Sequence, residues 1–186
     1  MRNLIFVLFA MLYTGIVSGQ NKMKTGDVAP VFSAPSDDDK VWNLQDYLGK
    51  KNIVLYFYPA AMTGGCTKQA CSYRDHLGDL GNADAIVVGI SGDDVSALKV
   101  FKKAQNLNFA LLSDHDGKIA SLYGVPVGAG GTITRKIDDL DVVLNRGVTA
   151  QRWTFIIGKD GKVKYINTKV DAENDYKAVL DALSVK

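Results

Sequence analysis

The sequence is poor in the residues that build disulfide frameworks and metal centres. Its 186 residues include only two cysteines and two histidines, His76 and His115. Two cysteines are too few for the disulfide framework of a small secreted domain. The cysteines and histidines also lack the number and spacing of ligands typical of a structural zinc site, so no metal is expected. The cysteines that are present, Cys66 and Cys71, lie five positions apart.

Runs of positive charge are also missing. No run of lysine or arginine exceeds two residues, and the formal net charge is +2. Such a chain has no electrostatic footprint for nucleic acid, so we expect a small-molecule partner. Hydrophobic residues make up 47% of the chain and charged residues 23%. This composition excludes a disordered or collagen-like chain and is typical of a soluble globular domain.

The N-terminal segment is apolar but short. Residues 4–17 are almost wholly apolar, Arg2 precedes them, and Ser18 and Gly19 follow. This pattern predicts a signal peptide over residues 1–19, cleaved after Gly19. An uncleaved anchor is the alternative, but 14 residues fall short of the roughly 20 that span a bilayer. We expect a mature protein of 167 residues (186 minus 19) that is exported, periplasmic or secreted, with no membrane association after cleavage.

The rest of the chain alternates between strand and helix patterns. Residues 52–58 are mostly β-branched and aromatic, which predicts a central strand covered on both faces. Other strands are predicted at residues 85–90, 110–112, 153–157 and 163–167, and helices at residues 66–80, 94–105, 118–123 and 171–183. This order predicts an α/β fold, with one domain over residues 20–186 and a mixed central β-sheet flanked by helices.

The segment between Gly124 and Arg152 has the least regular pattern. Its glycine-rich residues 128–131 predict a turn. Two apolar runs, at residues 133–137 and 142–148, fit either a hairpin flap or a loop, and the sequence leaves both open.

Cys66 lies where the predicted central strand ends and the first helix begins. In open α/β sheets, ligands bind at this end of the strands. A cysteine in the first turn of a helix faces unpaired backbone N–H groups and the positive end of the helix dipole, and both favour the thiolate. Because the thiolate is the nucleophile, this position predicts a reactive cysteine.

Cys71 belongs to the same predicted helix as Cys66. Five residues of ideal α-helix place two Cα atoms roughly 8.7 Å apart, whereas a disulfide needs less than about 7 Å. A bond between the two cysteines would require the first turns of the helix to unwind, and would be a redox state of the protein. A permanent structural disulfide and two unrelated thiols remain alternatives. The spacing excludes a reductase site of the Cys-x-x-Cys type.

The segment around Cys66 resembles a known family. Pro59, Thr63 and Cys66 match the Pro-x-x-x-Thr-x-x-Cys signature of peroxiredoxins. The second cysteine, Cys71, is similar to that of the bacterioferritin comigratory protein (peroxiredoxin Q) class. Further blocks in the family's order are residues 29–32, 55–59, 74–75, 89–91, 109–114, 123–125 and 152–157. The resemblance implies a thioredoxin-like fold, which agrees with the predicted sheet.

The resemblance implies a thiol-dependent peroxidase that reduces hydrogen peroxide or organic hydroperoxides. Cys66 would be the peroxidatic nucleophile, which becomes a sulfenic acid, and Cys71 the resolving thiol that condenses with it. A thioredoxin-like dithiol protein would return the electrons. The resemblance implies no metal, haem or flavin cofactor. We expect the protein to be a monomer. The alternative is a non-enzymatic exported module of thioredoxin fold, metal-binding or structural, with a permanent disulfide.

The resemblance also implies roles for the residues around the nucleophile. Thr63 would accept a hydrogen bond from the peroxide and donate one to the thiolate, and Arg152 would hold the thiolate and the polarised oxygens. Pro59 would shield the pocket from water, Gly65 would line the substrate site, and Gln69 would orient the arginine. From the residues alone, Thr63 could be only a helix N-cap, Arg152 a surface charge and Gln69 a solvated helix position.

Two departures from the family's pattern bear on this site. Gly64 stands before Gly65 where the family usually has proline, which makes a looser loop. The segment before Arg152 is longer than in typical members, and it contains Arg135 and Arg146 as alternative candidates for the same role.

Overall fold

The computed structural model describes residues 23–185, so the predicted signal peptide lies outside the described residues. The strands are β1 (Ser33–Pro35), β2 (Val41–Asn43), β3 (Asn52–Phe57), β4 (Ala85–Ser91), β5 (Ala110–Ser113), β6 (Val127–Ile137), β7 (Leu140–Ala150), β8 (Trp153–Ile157) and β9 (Val163–Asn167). The helices are α1 (Gly64–Asp75), α2 (Leu77–Asn82), α3 (Val95–Gln105), α4 (Lys118–Leu122) and α5 (Asp175–Ser184). Across residues 23–185, no helix is long and apolar enough to cross a membrane.

Five strands form a mixed central sheet in the order β5, β4, β3, β8, β9. Strand β4 runs parallel to both β3 and β5, whereas β8 is antiparallel to both β3 and β9. Every residue of β3 from Ile53 to Phe57 is buried, because side chains cover both faces of the sheet. The predicted fold class, α/β with a mixed central sheet flanked by helices, is confirmed, and so is the central position of β3.

Alternate residues of β3 enter two hydrophobic cores on opposite faces of the sheet. Leu55 and Phe57 belong to one core, which contains buried residues of β2 and α4. Val54 and Tyr56 belong to the other, which contains buried residues of α1, α3 and α5. The helix that carries both cysteines and the C-terminal helix therefore pack on the same face of the sheet.

The first helix differs from the prediction at both ends. Helix α1 begins at Gly64, two residues early, which places Cys66 in its first turn. The predicted continuation to residue 80 is wrong, because α1 ends at Asp75 and the backbone of His76 is not helical. Helix α2 follows, and its two glycines weaken any continuation because glycine has low helix propensity.

The C-terminal helix also begins later than predicted, at Asp175 instead of residue 171. The side chain of Asp171 accepts hydrogen bonds from the backbone N–H of Glu173 at 3.1 Å and from Nδ2 of Asn174 at 2.8 Å. An aspartate that bonds the backbone two residues on favours a turn over a helix, so residues 171–174 form a turn that leads into α5.

The long segment before β8 is an antiparallel hairpin of β6 and β7, which confirms one of the two open alternatives. The predicted turn at residues 128–131 is wrong, since these residues lie within β6. The chain turns at Asp138 and Asp139, with φ values of 49° and 64°. Gly130 allows β6 and β7 to approach closely, because a Cβ at this position would lie 2.2 Å from the carbonyl oxygen of Arg146.

Backbone hydrogen bonds attach the hairpin to the loop that follows β4. The N–H of Asp94 donates to the carbonyl of Asn145, and the N–H of Gly147 donates to that of Gly92, both at 2.9 Å. Leu144 is buried at this junction, with 1% exposed. The hairpin therefore lies beside the carboxyl end of β4, next to the end of β3 where α1 begins.

Candidate active site

Cys66 lies in the first turn of α1, where the chain leaves the carboxyl end of β3. Residues 58–62 connect the strand to the helix, and Thr63 has extended backbone angles at the N-cap position. The cysteine is buried, with 2% of the residue exposed. The first N–H groups of an α-helix have no partner within the helix, which favours a negative charge at this position.

Arg152 reaches Cys66 from the residue before β8. Its Nη2 lies 3.2 Å from Sγ of Cys66, and its Nη1 donates to Oε1 of Gln69 at 2.5 Å. Strand pairing explains this proximity, because Trp153 lies opposite Phe57 and the start of β8 therefore adjoins the end of β3. A guanidinium at this distance stabilises a thiolate by its charge and by its hydrogen bond.

The two other candidate arginines have different partners. Nε of Arg135 donates to the carbonyl of Met62 at 3.0 Å, and Nε of Arg146 donates to Oγ1 of Thr149 at 2.9 Å. Met62 has a φ of 59°, an uncommon conformation for a bulky residue. The structure therefore places Arg152 at the thiol, and Arg135 holds the loop that precedes α1.

Three further predicted site residues lie in this loop and the first helical turn. Oγ1 of Thr63 donates to the carbonyl of Ala60 at 2.8 Å and makes no capping hydrogen bond. Because the hydroxyl has a single proton, its hydrogen bond to the thiolate stays a prediction. Gly65 lies close to Arg152, since a Cβ on this glycine would be 3.4 Å from Nη2 of the arginine. Pro59 is half-buried.

Gln69 is fully buried, so the alternative of a solvated helix position is wrong. Its Nε2 donates to Oδ2 of Asp175 at 2.8 Å. The same carboxylate oxygen accepts hydrogen bonds from the hydroxyls of Tyr73 and Thr154, each at 2.7 Å. Burial raises the pKa of Asp175, although these three hydrogen bonds and the charge of Arg152 act in the opposite direction. A chain of contacts thus runs from the C-terminal helix to the thiol.

Comparison with known proteins shows where this site belongs. The model of the AhpC/TSA family matches residues 25–166. This chain belongs to the AhpC/TSA family. Peroxiredoxin Bcp of Escherichia coli K12 is 37% identical over 163 residues, which cover 88% of this chain and 97% of that protein. The chloroplastic peroxiredoxin Q of Triticum aestivum is 41% identical over 153 residues, which cover 82% of this chain and 62% of that protein.

Solved structures of peroxiredoxins have the same fold. Peroxidoxin BcpB from Mycobacterium tuberculosis superposes with a TM-score of 0.73 at 31% identity, covering 88% of this chain and 99% of that one. The bacterioferritin comigratory protein of Xanthomonas campestris superposes with a TM-score of 0.66 at 26% identity, covering 82% of this chain and 89% of that one. The resemblance to the peroxiredoxin Q class and the thioredoxin-like fold are confirmed.

Cys71 of this peroxiredoxin is partly exposed on α1, and both cysteines are free thiols. Sγ of Cys71 lies 3.6 Å from Oε1 of Gln105, the last residue of α3. Arg74, three residues further along α1, donates from Nη1 to the backbone carbonyl of Gln105 at 2.6 Å. Both cysteines belong to one continuous helix, and in the reduced protein Cys71 contacts α3.

Two buried carboxylates near the peroxiredoxin site belong to no sequence motif and were not among the predicted site residues. Oδ2 of Asp93 accepts hydrogen bonds from the N–H of Ala61 at 2.7 Å and from the hydroxyl of Ser91 at 2.8 Å, which anchors the loop before α1. Burial raises the pKa of Asp93. Asp175 stands four positions before buried Val179, so its place on the apolar face of an amphipathic helix is a signal that the sequence contains.

Proposed function

We propose that this protein is a thiol-dependent peroxidase that reduces hydrogen peroxide or organic hydroperoxides. Cys66 is the peroxidatic cysteine and Cys71 the resolving cysteine. The observation that carries the proposal is the 3.2 Å contact between Nη2 of Arg152 and Sγ of buried Cys66 at the start of α1. Similarity to the Xanthomonas campestris protein, which was studied for alkyl peroxide reduction, supports the same chemistry.

In the first step the Cys66 thiolate attacks one oxygen of the peroxide. A sulfur–oxygen bond forms, the O–O bond breaks, and the leaving oxygen takes a proton and departs as water or an alcohol. The sulfur is oxidised by two electrons to a sulfenic acid. Arg152 stabilises the thiolate beforehand and the charge on the departing oxygen during the reaction. Thr63, whose proton is directed to Ala60, accepts a hydrogen bond from the peroxide and orients it.

In the second step the Cys71 thiol attacks the oxidised sulfur of Cys66. The S–S bond forms, the S–OH bond breaks, and water leaves. Within ideal α-helix the two Cα atoms are roughly 8.7 Å apart, beyond the reach of a disulfide. Helix α1 therefore has to open, with loss of the contact from Cys71 to Gln105 and of the 2.9 Å hydrogen bond from Ser72 to the carbonyl of Glu173.

A dithiol protein of the thioredoxin type is the proposed reductant, because two electrons and two protons must be returned to the disulfide. Cys71 is the partly exposed sulfur, and it borders a polar groove of about 420 Å³ between α1 and the start of α5. A monomer contains both cysteines of the reaction, so no second copy is needed. Export to the periplasm or the exterior is proposed from the pattern of residues 1–19.

The stoichiometry of thiol loss tests the proposed function. The reduced wild-type protein is expected to consume one equivalent of hydrogen peroxide and to lose both thiols, because sulfenic acid and thiol condense to a disulfide. Cys71→Ser is expected to consume one equivalent and to stop as a sulfenic acid, since it lacks the second thiol. A peroxide assay measures the hydrogen peroxide consumed, thiol titration measures the thiols lost, and mass spectrometry detects the sulfenic acid. Survival of both wild-type thiols after peroxide addition would show that the protein is not a thiol peroxidase.

Amide hydrogen exchange tests the opening of the helix. We expect faster exchange across residues 66–76 in the oxidised protein than in the reduced protein, because the disulfide cannot form while helix α1 is intact. Residues 118–122 of α4, which packs on the opposite face of the sheet, serve as an internal reference within the same sample. Peroxide-treated Cys71→Ser is the matched control and is expected to keep the slow exchange. Identical exchange across α1 in both redox states would contradict the unwinding step.

A further inference from the structure

Asp175 is a buried carboxylate, 2% exposed, at the first residue of α5. Its Oδ2 accepts three hydrogen bonds, from Gln69, Tyr73 and Thr154, at 2.7–2.8 Å. The nearby cation, Arg152, bonds to Gln69 and to the thiol instead of to this carboxylate. Burial of a carboxylate costs free energy unless it is well paired. Its position against Gln69 therefore indicates a role beyond packing.

Asp175 decides which way the amide of Gln69 points. A carboxylate oxygen accepts hydrogen bonds, so the NH2 group of the amide faces Asp175 and the carbonyl oxygen faces Arg152. In the reverse orientation the NH2 group would face the guanidinium, donor against donor, and Arg152 would lose its 2.5 Å hydrogen bond to Gln69. With Nη1 held in this way, Nη2 is directed at Sγ of Cys66.

We propose that Asp175 is a positioning residue for Arg152, that it acts through Gln69, and that it sets the reactivity of Cys66 from the C-terminal helix. The inference rests on the proposed function. The negative charge of Asp175 also offsets the positive charge of Arg152. The charged and titratable groups that face Asp175 from the surrounding elements are Arg152, Tyr56, Tyr73 and Tyr165.

Two substitutions separate the hydrogen bond of Asp175 from its charge. All three donors bond to one carboxylate oxygen, so the carbonyl of asparagine can replace it and keep Gln69 oriented. Alanine removes the acceptor and leaves the amide free to turn. We expect Asp175→Ala to slow the reaction of Cys66 with hydrogen peroxide by about tenfold, and Asp175→Asn to keep most of the original rate.

The measurements use the full chain with Cys71→Ser, in which Cys66 is the one cysteine left. Stopped-flow kinetics give the peroxide rate, and alkylation by iodoacetamide gives the pH dependence of thiol reactivity. Asp175→Ala is expected to have a higher pH midpoint of alkylation than Asp175→Asn, because both variants lack the charge of Asp175 and only in Asp175→Ala does the thiolate lose a positioned cation. A merely structural role would lower thermal stability and give both variants the same midpoint. Alkylation needs no peroxide, so this result is independent of whether the protein is a peroxidase.

A double-mutant cycle tests whether Asp175 acts through Gln69. In a Gln69→Ala background, Asp175→Ala is expected to cause no further slowing, because the side chain that connects Asp175 to Arg152 is already absent. Asp181→Ala, an exposed acidic residue on the same helix, is the matched control. Additive losses, or Asp175→Ala with the original rate and midpoint, would overturn the proposal. If Asp175→Ala does not fold, Asp175→Leu, which is similar in size to aspartate and has no acceptor, takes its place, and an unchanged rate and midpoint in that variant would overturn the proposal.

Discussion

Cys66→Ser is expected to abolish peroxide consumption by the reduced protein. A serine hydroxyl is far less acidic than a thiol, so the guanidinium of Arg152 cannot generate a comparable nucleophile from it. The proposed role of Cys66 as the attacking sulfur rests on its buried position and its 3.2 Å contact with Arg152. Loss of peroxide, followed with a dithiol reductant present, is expected to fall to the rate of the reductant alone.

Cys71→Ser is the matched control for this substitution, because it also removes one sulfur from α1. It is expected to retain the first turnover, whereas Cys66→Ser retains none. Circular dichroism of both variants shows whether the fold is kept, and serine is close in size to cysteine. Undiminished consumption in Cys66→Ser would refute both the assignment of the nucleophile and the peroxidase proposal.

Arg152→Ala is expected to lower the second-order rate with hydrogen peroxide by roughly 10²–10³-fold, the range seen when one preorganised donor is removed from a reacting centre. Arg152 contacts Cys66 with one nitrogen and Gln69 with another, so both the charge and the orientation are lost. Arg152→Lys is expected to have an intermediate rate, because an ammonium keeps the charge but does not reproduce the planar fork of donors. Stopped-flow kinetics at fixed pH measure the rates.

Arg135→Ala is the comparison for this effect. Arg135 contacts the carbonyl of Met62 from the hairpin, so its removal loosens the loop without taking a donor from the thiol. We expect a change of a few-fold at most, of the size of one neutral hydrogen bond. A large loss in Arg135→Ala together with a small one in Arg152→Ala would transfer the catalytic role to the hairpin.

Most of the strands could be predicted because their causes are local. The apolar run of β3 and the strand patterns at residues 85–90, 110–112, 153–157 and 163–167 predict the sheet, because residue type and periodicity act within one element. The bounds of α1 and α5 were mispredicted for local reasons, namely the glycines of α2 and the turn that begins at Asp171. The error in the hairpin lies where distant residues intervene. The glycine-rich residues 128–131 fit a turn by composition, yet they lie within β6, and Gly130 stands where the backbone of β7 leaves no room for a Cβ.

The candidate site also combines local features with contacts between distant residues. Cys66 and Cys71 share one helix, and a spacing of five positions along the chain is enough to predict that. The hydrogen bond from Arg152 to Gln69 joins residues 83 positions apart, and that from Gln69 to Asp175 joins residues 106 positions apart. Neither contact has a local pattern, although the Pro-x-x-x-Thr-x-x-Cys resemblance indicated the arginine and the glutamine.

The sequence alone was enough to predict the class of fold, the candidate nucleophile and the presence of both thiols on one helix, because strand burial, helix start and cysteine spacing are properties of consecutive residues. The tertiary structure was needed to show which of three arginines contacts the thiol, which carbonyl the Thr63 hydroxyl contacts and which carboxylate bonds to Gln69. These depend on the pairing of β8 with β3 and on the packing of α5 against α1. Contacts of this kind form between segments that are distant in the chain, so no local pattern records them.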